Sequence, residues 1–339
     1  MKKIVFICTN YNSIKDGIGM YTANISKEIK KGIGFEVKML SAITDKNKGK
    51  LGLLSFSMTK EILKFIFNNK GLRKEKINFV VEYPFMDWNP FTIILLIILK
   101  KIYINSKFIL SIHEYYRVNK FRRWAIDLLI KISDGYIVTD EKLYKKLKGK
   151  KILRSIPSNI VRIDSKVEIV REENNYCYFG LINKTKAFNE MIEGWKDFNK
   201  NAKNILNIYS ASKVEIDDME RYNIKLHRGL SNEELSQEFQ KNRYMILPIK
   251  PMIDSNNGTL KAAALHGCIP IGKFHKELSH LGINIDEKEY SIKGIENAMK
   301  ISIDICLKSY EKSLKEYSKK HSFKVNAEQL MKFIKENLE

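Results

Sequence analysis

The segment DSNNGTLKAAALHGCIPIG, Asp254 to Gly272, sets Ser255, Asn256, Asn257, Gly258 and Thr259 ahead of a short run of helix formers that stops at Gly267. The first turn of a helix has unpaired backbone N–H groups and the positive end of the dipole, so this mouth is a candidate anion cradle. Asn257 or Ser255 is the expected cap, and capping alone accounts for one such residue. In FILSIHEYYR an apolar run ends at His113 and Glu114. Such a histidine can hydrogen-bond a hydroxyl or a developing charge, and Glu114 can orient it or act on an acceptor. Gly17 and Gly19 in KDGIGMY let backbone approach a ligand closely, although the third glycine of a dinucleotide fingerprint is missing. Lys184 and Lys186 follow Gly180 in YFGLINKTKAF and fit a diphosphate, while surface lysines in a lysine-rich chain need no ligand at all.

These residues act together only if the elements before them are strands, because ligands of open α/β sheets sit outside the strands' carboxyl ends. The pattern agrees. KIVFIC, FEVKMLS, INFVVE, KFILSI and GYIVT read as strands, with amphipathic stretches such as IGMYTANISKEIKK and FRRWAIDLLIKI between them. After a boundary near residues 160–172, a second series begins with NYCYFG and continues through NILNIYS, IKLH, YMILP and CIPIG. Its helix FNEMIEGWKDF aligns Phe188, Met191, Ile192, Trp195 and Phe198, and Ser231 to Glu234 forms a capping box. The apolar Phe91–Leu99 run is too short to span a bilayer and reads as a buried helix. MKKIVFIC reads as a first strand rather than a signal peptide. One long helix, roughly Tyr310 to Leu338, closes the chain.

Taken together, the glycine loop, the HE strand end, a PSNI element at Pro157–Ile160, the FG strand with its lysine, LHRGLSNEEL and the helix leading to GCIPI resemble the GT-B nucleotide-sugar glycosyltransferases of family 4, as in bacterial surface polysaccharide biosynthesis. The resemblance implies an α/β protein with the GT-B fold, two Rossmann-like doubly wound domains facing across a cleft. Residues 1–163 would form the acceptor-side domain and 164–312 the nucleotide-sugar-binding domain. Residues 313–339 would form a helix packing back towards the N-terminal domain.

It also implies that Gly17 and Gly19 line the cleft, that His113 contacts the donor sugar, and that Lys186 binds the diphosphate. Asp254 would hold sugar hydroxyls, Ser255 to Thr259 would cradle phosphate, and Leu226 to Leu230, including Arg228, Gly229 and Leu230, would pass near the base. His113, Glu114 and Asp254 are the catalytic candidates. The implied reaction is retaining, needs no cofactor and no metal, and uses a nucleoside diphosphate sugar as co-substrate, with the leaving phosphate helping to deprotonate the acceptor. Two departures stand out: Leu181 follows Gly180 where the family has Arg, and the second, ribose-binding Glu falls at Ala262, or at Lys261 with an insertion. The alternative is a non-catalytic GT-B homologue that binds a sugar or a partner.

The chain has 339 residues and a formal net charge of +21. Residues 1–165 hold 32 Lys and Arg against 14 Asp and Glu, an excess of 18, whereas the rest hold 28 against 25. A one-sided basic field suggests nucleic acid, an anionic membrane surface or an anionic substrate. The expected partners are a nucleotide-sugar donor, a glycan or polyprenyl-diphosphate-linked acceptor, and an anionic membrane. The protein would then be cytoplasmic and peripheral to the inner face of the plasma membrane. SFSMTKEILKFIFNNKGLRKEK and EKLYKKLKGKK are the segments expected to dock there. Nucleic acid is the third reading, but helical spacing sets Trp124 of FRRW with the core and no nucleic-acid module is present. Four widely separated cysteines lack zinc-site spacing and read as free thiols.

Overall fold

The apolar runs become parallel strands and the amphipathic stretches between them become the crossover helices that parallel pairing requires. The computed structural model describes residues 2–10, 16–32, 34–43, 55–85, 89–116, 118–164, 169–183, 185–285, 290–304 and 306–338. Lys184 lies outside them. The chain divides into two compact units, residues 1–156 with 323–339, and residues 157–322.

In the first unit the order is β1 (Lys2–Asn10), α1 (Gly17–Lys31), β2 (Phe35–Ile43), α2 (Ser57–Asn68), β3 (Ile77–Tyr83), α3 (Pro90–Ile102), β4 (Lys107–Ile112), α4 (Lys120–Ile132), β5 (Gly135–Val138), α5 (Glu141–Lys146) and β6 (Lys151–Leu153). The sheet order is β2-β1-β3-β4-β5-β6, and every described pairing is parallel. The first strand, β1, therefore has β2 on one side and β3 on the other, so the chain switches direction between β1 and β3. All seven residues of β3 are buried, as expected of a strand covered on both faces. Asp16, Asn89, Asn119 and Asp140 fix where helices begin, each accepting a hydrogen bond from an amide of the first turn.

In the second unit the order is β7 (Glu172–Phe179), α6 (Phe188–Phe198), β8 (Ile205–Tyr209), β9 (Ile224–His227), α7 (Asn232–Lys241), β10 (Asn242–Leu247), α8 (Gly258–His266), β11 (Ile269–Gly272), β12 (Ile283–Asn284), α9 (Ile292–Asp304) and α10 (Lys308–Lys320). Its sheet, β12-β11-β10-β7-β8-β9, switches direction between β7 and β10. The expected faces and caps are there: α6 buries Phe188, Met191, Ile192 and Trp195, and Ser231 and Glu234 satisfy each other's amides.

Three expectations change. The terminal run is two helices, α10 and then α11 (Phe323–Phe333), divided at His321 and Ser322. Leu314 of α10 packs in the second unit's core, whereas Ala327, Leu330 and Phe333 of α11 pack against Ile4, Phe6 and Tyr21 in the first. The two halves of that run serve different cores, and periodicity alone does not see the change of partner. Trp124 is 54% exposed, because α4 faces its sheet with Ala125, Ile126 and Leu129, and Trp124 lies on the opposite arc. The Phe91–Leu99 helix is buried on one face only, with Phe91, Ile94 and Ile98 outward. Among the described residues, no helix is long and apolar enough to cross a membrane.

Candidate functional site

In the first unit the candidates gather at the carboxyl ends of β1, β3 and β4. Gly19 is required by packing: a Cβ there would overlap the carbonyl oxygen of Asn10 at the end of β1, so only glycine lets α1 start so close to the strand. Gly17 begins α1 and is exposed. Asp16, which caps α1 through Ile18 N at 3.0 Å, is buried. Burial raises its carboxyl pKa, and the amides of Gly19 and Ile18 and the nearby His113 act against that rise.

His113 is 8% exposed, and its Nε2 lies 2.6 Å from Oε2 of Glu82, the fully buried penultimate residue of β3. Burial works to raise the Glu82 pKa, but the hydrogen bond and charge of His113, with Arg154 and Ser111, hold it below the usual carboxylate value. A carboxylate only accepts, so Nε2 carries a proton and Nδ1 holds the ring's remaining hydrogen-bonding capacity. The ring is fixed from its other sides by Tyr21, edge-on at 5.1 Å, and by backbone bonds from His113 N to Tyr83 O and from Thr139 Oγ1 to His113 O. Arg154, 2% exposed, lies over the Tyr21 ring at 4.8 Å and donates from Nη2 to Ser111 Oγ at 3.4 Å. Arg154 Nε and Nη1, Glu82 Oε1 and Tyr21 Oη have no hydrogen-bond partner among the described residues. Glu114 is exposed; the orienting partner of His113 is Glu82, not Glu114. Strand-end position marked His113 in the sequence, but nothing there marked Glu82, whose "VVEY" context reads as plain strand.

In the second unit the two loops that flank the β7/β10 switch are laced together. Lys186 pairs with Ile249 as an isolated bridge, Ala187 N donates to Pro248 O at 2.7 Å, and Lys250 N to Thr185 O at 2.9 Å. The loop carrying Lys186 and the loop that leads into α8 are thus one structure at the strand ends. Burial lowers the Lys186 pKa.

Asn257 is the cap of α8, accepting from Leu260 N at 2.8 Å, while Asp254 Oδ1 accepts from Asn256 N at 3.0 Å. Ser255 is exposed, Thr259 is half-buried, and a Cβ on Gly258 would meet open space. Gly267 takes the left-handed conformation, φ 73°, that ends α8. Arg228, Gly229 and Leu230 follow β9, two strands from β7, so they lie on the order of 10 Å from the switch. Arg228 donates to Val214 O at 3.2 Å, and Gly229 has φ 72°.

The two departures have distinct places. Leu181 is 61% exposed beside Gly180, whereas Ala262 is fully buried in the core and has no polar group to offer. The polar residue at that turn is Lys261, 3% exposed, with its pKa pushed down to about 8 by burial, against the pull of Asp254. His321, beside Tyr317 at a ring separation of 4.2 Å, has a pKa lowered to about 4 by burial and by the Lys261 charge.

No protein-family model matches the sequence, and no curated protein matches it. In three dimensions the chain is similar to sucrose-phosphate synthase from Thermosynechococcus elongatus, with 13% identity, 98% of each chain covered and a TM-score of 0.62. It is also similar to Anabaena HepE in complex with UDP and glucose, at 9% identity over 99% of this chain and 100% of that one, TM-score 0.62. A third similar structure is an alpha-glucosyltransferase in complex with UDP-glucose and DNA containing an abasic site, at 14% identity over 94% of each chain, TM-score 0.63. The chain has the α/β, GT-B fold of these proteins over nearly its whole length.

Proposed function

We propose that the protein transfers a sugar, with retention, from a nucleoside diphosphate sugar to a glycan or lipid-linked acceptor in surface polysaccharide biosynthesis. The observation that carries this reading is the switch point of the second sheet, where Lys186 and the open N-terminus of α8 are held by one hydrogen-bonded pair of loops. A cation and unpaired helix amides are what a leaving diphosphate needs, because most of the catalysis in such a step is positioning and charge stabilisation. The developing charge is assigned to Lys186 and the amides of Gly258 and Thr259 rather than to a metal. Asp254 is assigned to sugar hydroxyls, Ser255, Asn256 and Asn257 to the phosphate loop, and Arg228, Gly229 and Leu230 to the base. In the first unit, His113 is assigned to the donor sugar and Glu114 to the acceptor hydroxyl, with Gly17 and Gly19 forming the adjoining backbone.

Thermal-shift titration with UDP, GDP, CMP and their sugar conjugates tests the reading. Stabilisation by one nucleotide, lost in Lys186→Ala, is the expected result; indifference to every nucleotide would remove the donor site. The exposed Leu181 and the core position of Ala262 favour one second reading, a non-catalytic homologue. That reading predicts nucleotide or sugar binding with no transfer or hydrolysis across a donor panel.

A further inference from the structure

The first unit has an apolar face that its own fold leaves uncovered. Among the described residues, every exposed aromatic side chain falls between residues 56 and 124: Phe56, Phe67, Phe91, Tyr116, Phe121 and Trp124. On α3, Phe91, Ile94 and Ile98 recur at i, i+3 and i+7 and form one stripe, 56%, 52% and 39% exposed. On α2, Phe56 at the cap, Leu63 and Phe67 recur at i, i+7 and i+11. These stripes adjoin: the Phe56 and Phe91 rings are 5.9 Å apart, Thr59 and Thr92 share a 2.9 Å hydrogen bond, and Asn89 Nδ2 donates to Ser55 O. Helix α4, which packs on α3, adds Phe121 and Trp124. The core does not need these residues, since α2 and α3 bury Met58, Ile62, Ile93, Leu96 and Leu99 on their opposite faces. Adjoining exposed apolar stripes of this kind mark an interaction surface.

Charge selects the occupant. Residues 56–124 carry 13 Lys and Arg against 5 Asp and Glu. A second copy presenting the same face would bring two positive spans together, and phosphodiester backbone offers nothing to isoleucine and phenylalanine. Acyl chains beneath anionic headgroups satisfy both features. Tryptophan belongs at such a boundary, and phenylalanine on the apolar face of helices that lie in it.

We infer that the α2–α3–α4 face docks on an anionic bilayer, seating Phe91, Ile94 and Ile98 with Phe56, Phe67 and Trp124 at the acyl boundary and the flanking lysines among the headgroups. This moves the contact away from the basic segment after β5, where Leu143 and Leu147 are buried. The inference does not depend on the glycosyltransferase reading.

Flotation of the full chain with phosphatidylcholine vesicles, with and without phosphatidylglycerol, tests it. The wild-type protein should float with the anionic vesicles. Phe91→Ser/Ile94→Ser/Ile98→Ser should lose at least tenfold in binding while keeping the wild-type Tm and response to nucleotide. Leu63→Ser/Phe67→Ser provides an independent variant should the first unfold. Quenching of tryptophan emission by brominated acyl chains should be reduced in Trp124→Phe. Wild-type-like flotation of folded serine variants would show charge attraction alone and overturn the proposal. So would absence of wild-type binding, or a wild-type dimer that these variants convert to monomer without affecting flotation.

Discussion

Lys261 offers a prediction whose size follows from its surroundings. An ammonium group 3% exposed in the wall of α8 loses hydration that Asp254 only partly restores, so its pKa falls from 10.5 to about 8. Below pH 8 the lysine is charged in both the folded and the unfolded chain, and the difference amounts to about 3 kcal/mol against folding. Because the folded-state pKa lies below the unfolded one, the unfolded chain holds more protons between pH 8 and 10.5, and stability rises with pH through that window. Replacing the lysine by methionine, similar in volume and uncharged, should therefore stabilise the protein at pH 7 by up to about 3 kcal/mol, or several degrees in Tm for a unit of this size. The wild type should recover about 1 kcal/mol of that difference between pH 7 and pH 9. Urea denaturation of wild type and Lys261→Met at the two pH values reads both quantities. Equal midpoints at pH 7, or parallel pH dependence of the two proteins, would refute the argument from burial. A destabilising charge held beside the proposed phosphate loop also has a functional test, since the methionine variant should lose stabilisation by nucleotide while gaining intrinsic stability.

Glu82→Gln should destabilise the first unit by about 3 kcal/mol by leaving His113 and Arg154 without their buried carboxylate, and any transfer activity should fall in kcat more than in donor KM. Gly19→Ala should lower stability by at least about 2 kcal/mol because of its overlap with the Asn10 carbonyl, whereas Gly258→Ala should alter it by no more than about 1 kcal/mol, in the stabilising direction. Thermal melts distinguish the two glycines directly. His266, fully buried and bonded to Ala262 O and Ser236 Oγ, has a pKa lowered to about 4. The unfolded chain takes up the proton first, so stability present above pH 6.5 should fall by about 3 kcal/mol as pH drops through 4, and His266→Gln should flatten that loss in acid denaturation curves.

Local sequence determined the elements. Strand and helix order, the Ser231–Glu234 capping box, the α8 stop at Gly267 and the strand-end position of His113 all follow from periodicity and turn chemistry, which act within a few residues. The segment Asp254–Thr259 was legible as a helix mouth for the same reason. Tertiary structure decided everything that depends on which segments meet. It bonded Glu82 to His113 across 31 residues and gave Lys261 a buried place beside Asp254, while Ala262 went to the core. It also broke the terminal helix at the passage from one core to another, and turned Trp124, Phe91 and Ile94 outward. Apolar type alone does not say which side of a helix finds a partner; the sheet beneath it does.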